Sequence, residues 1–509
     1  MANDAPAPAS PPTGGEEAKK VMSDHTADEK PVKVAGVVDY TGVAAKSDPA
    51  EIKLVRKLDF RIMPILWIMY FLNYVDRNAI AQARLNNLEK DLGMSGWQFN
   101  TCVSILFVGY VLMQVPSNML ITRIRPGIYM SACMFVWAIV SACAGAVKSY
   151  GGLVAVRFFL GITEAPFYPG ATYMLAIFYT RKGEFYYPEN NRRIRKPSDP
   201  LYPPFPEVAT RIAWFYCAQI LATGFSGLIS AGVFWGLDGA RGLAGWRWLF
   251  IIEGAITGFV AIVGFWMLPN TPLTTHWLTP EERELAHARM ERDRVTESHD
   301  TKASTWEGLK QACQDKRTWL FCLMQNFHLS ACSFNSFFPT LQHHRHPPHD
   351  LPPFIFAAAA GILCGWSSGR LHERTWHITA GLAAAVVGFI WAASTLNTAA
   401  RYVACFVFPV GAYSVNSVII GWASSTLQQT KEKKAVVLAM TNVAGQVGYI
   451  YGAYLWPDYD SPRFAIGFGT SAGFALGSIV CAWILRGMLI RENRKIRGSA
   501  TEHVNLYGY

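Results

Sequence analysis

Charge is the first thing this sequence lacks. Asp, Glu, Lys and Arg make up 16% of its 509 residues, while 51% are hydrophobic. Soluble domains carry roughly 25% charged residues, so this chain has too little polarity to cover the several domains its length would otherwise imply. Paired metal-ligand spacing is absent as well. The ten cysteines contain no CxxC, and Cys102, Cys133, Cys143, Cys217, Cys322, Cys405 and Cys481 sit inside apolar runs. That pattern excludes a disulfide framework and a zinc site and marks small core residues. No phosphate-binding glycine loop stands out, and scattered Ser, His and Asp are not a triad. Neither an enzyme nor a cofactor nor a metal is expected. The first fifty residues, beginning "MANDAPAPASPPTGGEEAKK", have no apolar h-region. They read as a disordered cytosolic tail and not as a cleaved signal peptide.

What the chain does have is a recurrence of apolar stretches of about twenty residues, the length that crosses a bilayer as a helix. Twelve such spans are read near 61–81, 100–121, 127–147, 150–179, 209–235, 247–268, 318–339, 352–369, 376–396, 401–424, 435–456 and 464–487. The expected fold is an all-α membrane protein of twelve transmembrane helices in two six-helix halves, 51–268 and 318–490. A cytosolic linker at 269–317 joins them, and a cytosolic tail follows at 491–509. Within the linker, "LTPEE" marks a helix start, with Thr279 as N-cap and Pro280 in the first turn. Trp248, Trp376 and Trp456 are assigned to the interfacial belts. The eighth span is short.

The net charge of +10 is spread as topology control requires, not as a nucleic-acid patch. Lys53, Arg56, Lys57, Arg123, Arg125, Arg181, Lys182, Arg370, Arg374, Lys431, Lys433 and Lys434 fall in alternate loops, whereas Lys148, Arg241 and Arg401 are nearly alone in the others. The positive-inside rule then places both termini in the cytosol. The bilayer and a small organic anion are the expected partners of a monomer, with no nucleic acid.

Four ionisable residues interrupt the apolar runs: Asp76 and Arg77 in "NYVDRNAI", and Arg157 and Glu164 in "VRFFLGITEAPFYPG". Each costs about 2.5–3.5 kcal/mol near a helix centre on insertion scales, so such residues face a cavity and act there. An arginine binds a carboxylate bidentately, and a partly buried glutamate loads and releases a proton near neutral pH. Buried salt bridges that only fix helix packing are the alternative. Tyr74, Tyr110, Gln219 and Asn442 are further candidates for hydrogen-bonding a substrate, or for contacts between helices.

"LDFRIMPILWIMYFLNYVDRNAIAQARL", "FNTCVSILFVGYVLMQVPSNML" and "VRFFLGITEAPFYPGATYMLAIFYTRK" resemble the fungal allantoate permease group of the major facilitator superfamily. "GLAGWRWLFIIEG", "LPNTP…WLTPEE" and "SSGRLHERTWHI" extend the likeness over roughly 50–495. That group belongs to the anion:cation symporters, with nicotinate, pantothenate and phthalate-type carriers. The resemblance implies proton-coupled import of a small organic carboxylate across the plasma membrane by alternating access, with the proton as coupling ion. It implies Arg77 as carboxylate clamp, Glu164 as proton carrier, and Asp76 with Arg157 as coupled partners. A non-transporting sensor or defective paralogue, or an exporter of a metabolite or drug on the same fold, is the alternative.

The chain departs from this group in three places. The cytosolic motif after span 2 is reduced to "NMLITRIRPG", keeping Arg123 and Arg125 but no acid, while "SSGRLHER" keeps Arg370, Glu373 and Arg374. These five are assigned to a cytosolic gate built from ion pairs and helix ends, with solvated topology charges as the alternative. Residues 183–206 insert a Pro-rich basic loop, whose codons can resemble splice signals, so a retained intron is one reading. "LQHHRHPPHDLPPFIF" places His343, His344, His346 and His349 in linear order with prolines between, a poor arrangement for one metal ion. Read one base later, the codons can encode an apolar segment, which favours a frameshifted stretch over 342–351.

Overall fold

In a computed structural model the described residues are 49–121, 124–179, 207–293, 305–337, 351–371, 373–427 and 431–499, all within one compact unit, Val43–Tyr509. Arg123, the inserted loop 183–206 and the histidine cluster lie outside them. Among the described residues the structure is helical with no strand. A span in hydrocarbon must satisfy its own backbone hydrogen bonds, and a helix does this within one segment.

The first half contains α1 (Pro49–Leu85), α2 (Leu88–Asp91), α3 (Gly96–Ile121), α4 (Pro126–Ala144), α5 (Tyr150–Glu164), α6 (Phe167–Phe178), α7 (Glu207–Leu237) and α8 (Gly245–Met267). The linker carries α9 (Pro280–Asp293) and α10 (Thr305–Gln314). The second half contains α11 (Lys316–Ala331), α12 (Leu351–Leu371), α13 (Thr375–Ser394), α14 (Thr398–Ser414), α15 (Asn416–Thr426), α16 (Lys431–Gly452) and α17 (Ala465–Ser499). Among the described residues, nine segments are long and apolar enough to cross a membrane, with α14 and α15 counted as one. The other expected spans have visible reasons to miss that test. The fourth is broken at Ala165–Pro166 into α5 and α6, because a proline lacks the N–H that the helix needs. The seventh is a 16-residue α11 that continues as the 3₁₀ turn Cys332–Ser336. The eleventh, α16, starts on "KEKK".

The packing reveals an internal repeat. Counted as spans, 1 packs on 5 and 6, 2 on 4, and 3 on 6; the second half repeats this with 7 on 11 and 12, 8 on 10, and 9 on 12. The halves meet where α3 packs on α16 and α7 on α12. Those contacts are spans 2 with 11 and 5 with 8, which exchange under the same repeat. Duplicated halves with a site at their interface are the architecture of many secondary transporters.

Thr279 caps α9 as expected. Its Oγ1 accepts from the Glu282 N–H at 3.3 Å, and Glu282 Oε2 accepts from the Thr279 N–H at 3.0 Å, a reciprocal capping box. Glu282 also pairs with Lys57 at 2.6 Å, and Arg289 with Glu51 at 2.6 Å, so the linker helix is tied to the start of α1. We call this the linker end of the bundle. At the opposite end, Thr101 and Tyr454 hydroxyls meet at 3.0 Å, Ser104 donates to the Ile450 carbonyl at 2.7 Å, and Asn335 donates to Asn78 at 3.4 Å. These bonds join one half to the other.

Two expectations are corrected. The eighth span is not short: α12 has 21 residues, starting directly at Leu351 with Pro352 and Pro353 in the first turn, where a missing N–H is harmless. Trp456 is not in an interfacial belt. It is 1% exposed, stacked on Phe337 at 5.9 Å, with its Nε1–H donated to Ser333 at 3.2 Å. Trp376 is exposed, and Trp248 is half-buried with its indole bonded to the Ala240 carbonyl.

Candidate functional site

Tyr70, Asn73, Tyr74 and Arg77 fall at i, i+3, i+4 and i+7 on α1 and therefore share one helix face. All four line a cavity between the halves. From the first half Tyr110 of α3, Glu164 of α5, Tyr168 of α6, and Tyr216 and Gln219 of α7 join them. The second half contributes Gln325, Asn416, Asn442, Gln446 and Tyr449. Both charges thus come from the first half, and the facing wall is built mainly of amides.

Arg77 Nη2 meets Glu164 Oε1 at 2.5 Å, with the two side chains 9% and 3% exposed. The Pro166 break ends α5 at Glu164, which leaves this carboxylate at a helix end facing α1. The Arg77 guanidinium lies over the rings of Tyr74, Tyr110 and Phe107 at 4.8, 5.3 and 5.5 Å, an aromatic box that favours a cation. Its Nη1 reaches the Tyr74 hydroxyl at 3.4 Å, and its buried Nε has no partner. On the other wall Gln325 donates to Asn416 at 2.9 Å and Asn416 to the Tyr216 hydroxyl at 2.5 Å, linking the halves across the cavity. The free space is about 40 Å3, room for a few waters but not for a substrate with a ring or chain.

Six expected residues, Tyr74, Arg77, Tyr110, Glu164, Gln219 and Asn442, are thus brought together. Asp76 and Arg157 are not in the lining. Asp76 is turned about 100° from Arg77 around α1 and accepts from Trp137 Nε1 at 2.6 Å and Thr257 Oγ1 at 3.2 Å. Arg157 is 2% exposed, donates from Nε to the Cys102 carbonyl at 3.4 Å, and has its strongest charge interaction with Glu164. Asp76 and Arg157 make no direct bond.

The residues assigned to a gate are dispersed. Glu373 pairs with Arg486 of α17, Arg374 donates to Ser368 at 3.3 Å, Arg370 lies over Trp366, and Arg125 is exposed. Burial pushes the Arg374 guanidinium below its usual range. The ion pairs at this end named here stay within one half or join α1 to the linker.

Sequence reasoning missed Tyr70, Asn73, Tyr168, Tyr216, Gln325, Asn416, Gln446 and Tyr449. The available signal was periodicity: Asn442, Gln446 and Tyr449 follow i, i+4, i+7, as the α1 set follows i, i+3, i+4, i+7. A polar stripe on an otherwise apolar helix marks the face turned from lipid. Glu253 of α8 was also missed, although it is an acid inside an apolar run.

The family model of the Major Facilitator Superfamily matches residues 66–453. The chain is 30% identical over 467 residues to the MFS-type transporter cnsO of Penicillium expansum, covering 88% of this chain and 85% of that one. It is 30% identical to the major facilitator-type transporter hxnP of Emericella nidulans over 78% of each chain. Among solved structures, the bacterial homologue of the human lysosomal transporter Spinster aligns with a TM-score of 0.59 at 16% identity, covering 90% of this chain and 100% of that one. The xylose transporter XylE from E. coli aligns at 0.60 and 11% identity, covering 84% and 99%. At such identities the likeness concerns the fold alone. Matched over most of its length and built as two packed six-span halves, this chain belongs to the Major Facilitator Superfamily and is an integral, multi-pass membrane transporter.

Proposed function

We propose that this transporter imports a small organic carboxylate together with protons. It works as a monomer in the plasma membrane, with both termini cytosolic and no cofactor besides the coupling proton. The observation that carries this reading is the Arg77–Glu164 ion pair, buried at the interface of the halves.

A substrate carboxylate is chemically equivalent to the Glu164 side chain. It competes for the same guanidinium, and an occupied Arg77 is closed to it. Protonating Glu164 removes the competitor, so anion and proton enter the site together. When the proton leaves, Glu164 retakes Arg77 and expels the anion. With Glu164 protonated and no anion bound, Arg77 would be buried and unpaired, which is unfavourable and opposes passage of the proton without the anion. The amide wall of Gln325, Asn416, Asn442 and Gln446 then receives the uncharged end of the substrate. Admitting that substrate requires the contracted cavity to widen, as parting of the two halves does.

The test is uptake of labelled allantoate, nicotinate, pantothenate and phthalate into cells lacking their own carriers, at acidic and neutral external pH. Greater uptake at acidic pH is expected for at least one anion. Net efflux of a preloaded compound, with no uptake at either pH, overturns import and favours the exporter. Glu164→Gln, which cannot titrate, is expected to keep anion exchange but lose accumulation driven by the pH gradient.

A further inference from the structure

Behind α1, on the side away from the cavity, lies a second buried polar cluster that the proposed mechanism does not use. Its centre is Glu253 of α8, 2% exposed, with neither carboxylate oxygen hydrogen-bonded. Thr257, one turn further along α8, donates to Asp76 of α1. On α4, Trp137 donates to the same Asp76 oxygen, and the buried Ser141, one turn on, lies against the same carboxyl. Asp76 is likewise 2% exposed. Three helices thus converge on two carboxyl groups in a dry seam. At 1.5 Å per residue each acid lies about 12–14 Å from the same end of its own helix.

The charges around this seam are one-sided. Asp76 is the charged group that acts on Glu253, and no lysine, arginine or histidine among the described residues contributes there. Asp76 also interacts with Glu164 and Arg157 of α5, beyond α1. Arg157 offsets the charge of Asp76 but no cation among the described residues acts on Glu253, so in this seam of low dielectric the two carboxyl groups are not both ionised and one of them holds a proton. The hydrogen bonds say which. Asp76 receives donors from Trp137 and Thr257, as an anion requires, and Glu253 receives none, as suits a neutral acid.

We infer that Glu253 and Asp76 form a second proton-binding site, separate from the substrate cavity, whose occupancy governs how α1 packs on α4 and α8. The exchanged species is a proton alone: it binds Glu253 or Asp76 oxygen as an O–H and leaves to water, with no other bond made or broken. Because Asp76 and Arg77 are consecutive on α1, a change in this seam turns or shifts the helix that also carries the carboxylate clamp. Glu253 is therefore a positioning residue that acts through α1 and does not touch the substrate.

Infrared titration of the purified protein tests this without any substrate, so its outcome is independent of the carboxylate reading. A carbonyl-stretch band of a protonated carboxyl is expected in the wild type, changing with pH and missing from Glu253→Gln. In cells or vesicles, Glu253→Gln is expected to bind and exchange substrate as wild type does. Its ratio of uptake at acidic to neutral pH should fall by roughly threefold or more, since one titrating group is lost. Glu253→Asp, which keeps the carboxyl, should restore part of that ratio. A Glu253-dependent band that never changes with pH, or an unchanged uptake ratio in Glu253→Gln, overturns the inference by showing a permanently neutral side chain. Loss of folding in Glu253→Gln together with a pH-invariant band in Glu253→Asp overturns it equally.

Discussion

At the scale of single residues, the central contrast is between Arg77 and its neighbour Asp76. They are adjacent in sequence, yet one faces the cavity and the other faces α4 and α8. The polar identity of both was legible, since ionisable residues are rare in apolar runs. Their separation follows from helix geometry and can be read from the stripe Tyr70, Asn73, Tyr74, Arg77, which excludes Asp76. For Arg77 the chemistry depends on a planar fork within an aromatic box. Arg77→Lys is expected to weaken carboxylate affinity about tenfold or more, because a point charge replaces two directed donors; equilibrium binding of the transported anion checks it. A second residue-scale prediction concerns Asp315, the N-cap of α11. Burial pushes its carboxyl up, but hydrogen bonds from Arg317 and Lys433 outweigh this and hold it down at about 2. A carboxylate lowered in the folded state contributes stability above its unfolded value, and that contribution is lost as pH falls through the folded value. Asp315→Asn should therefore destabilise the fold at neutral pH by about 1 kcal/mol once solvent screening is allowed for, read as a lower melting temperature. The gap should close between about pH 4 and pH 2, as scanning fluorimetry in detergent will show.

At the scale of elements, the linker helix start was the most legible feature, since "LTPEE" specifies its own capping box. The break at Pro166 was not read: the fourth span was expected unbroken over 150–179, and it divides beside Glu164. The expected eighth span, 352–369, already held the prolines at 352 and 353, which a first turn tolerates, and fell short of α12 by Leu351 at one end and Arg370 and Leu371 at the other. How closely two helices approach was not legible, because it depends on what stands opposite each glycine. A Cβ at Gly161 of α5 would collide with the Leu106 carbonyl of α3, and one at Gly109 of α3 with the Phe158 carbonyl of α5. Gly161→Val is expected to force the two helices apart and destabilise by about 1–3 kcal/mol, the usual range for overpacking. Transport should fall with it, since α5 carries both Arg157 and Glu164. Gly469→Ala on α17, where nothing lies within 4 Å, is the matched control and should leave thermal stability unchanged.

At the scale of the whole molecule, the repeat of packing pairs between halves makes two equivalent seams, α3 with α16 and α7 with α12. Alternating access in such a fold proceeds by rocking one half against the other, so contacts that join the halves at one end must break in each cycle. The Ser104–Ile450 bond lies on the α3–α16 seam, away from the linker. Linking Ser104→Cys to Ile450→Cys with a short thiol-specific reagent should hold that end shut. Uptake is expected to stop on cross-linking and to return after cleavage of a reducible linker, measured against each single variant. Persistent uptake in the cross-linked protein would show that this end does not open.

Span number, span position, the two-half organisation and the presence of intramembrane acids and bases were all determined by the sequence alone. Each is a local property, because a helix in hydrocarbon must be long, apolar and self-satisfied segment by segment. Partners were decided only by the tertiary structure. Arg77 meets Glu164 eighty-seven residues away, Asp76 turns from Arg157 toward Trp137 and Thr257, and Glu253 joins it. Those pairings depend on the rotation and approach of helices distant in the chain, which glycine contacts and proline breaks set together. No periodicity within a single span encodes them.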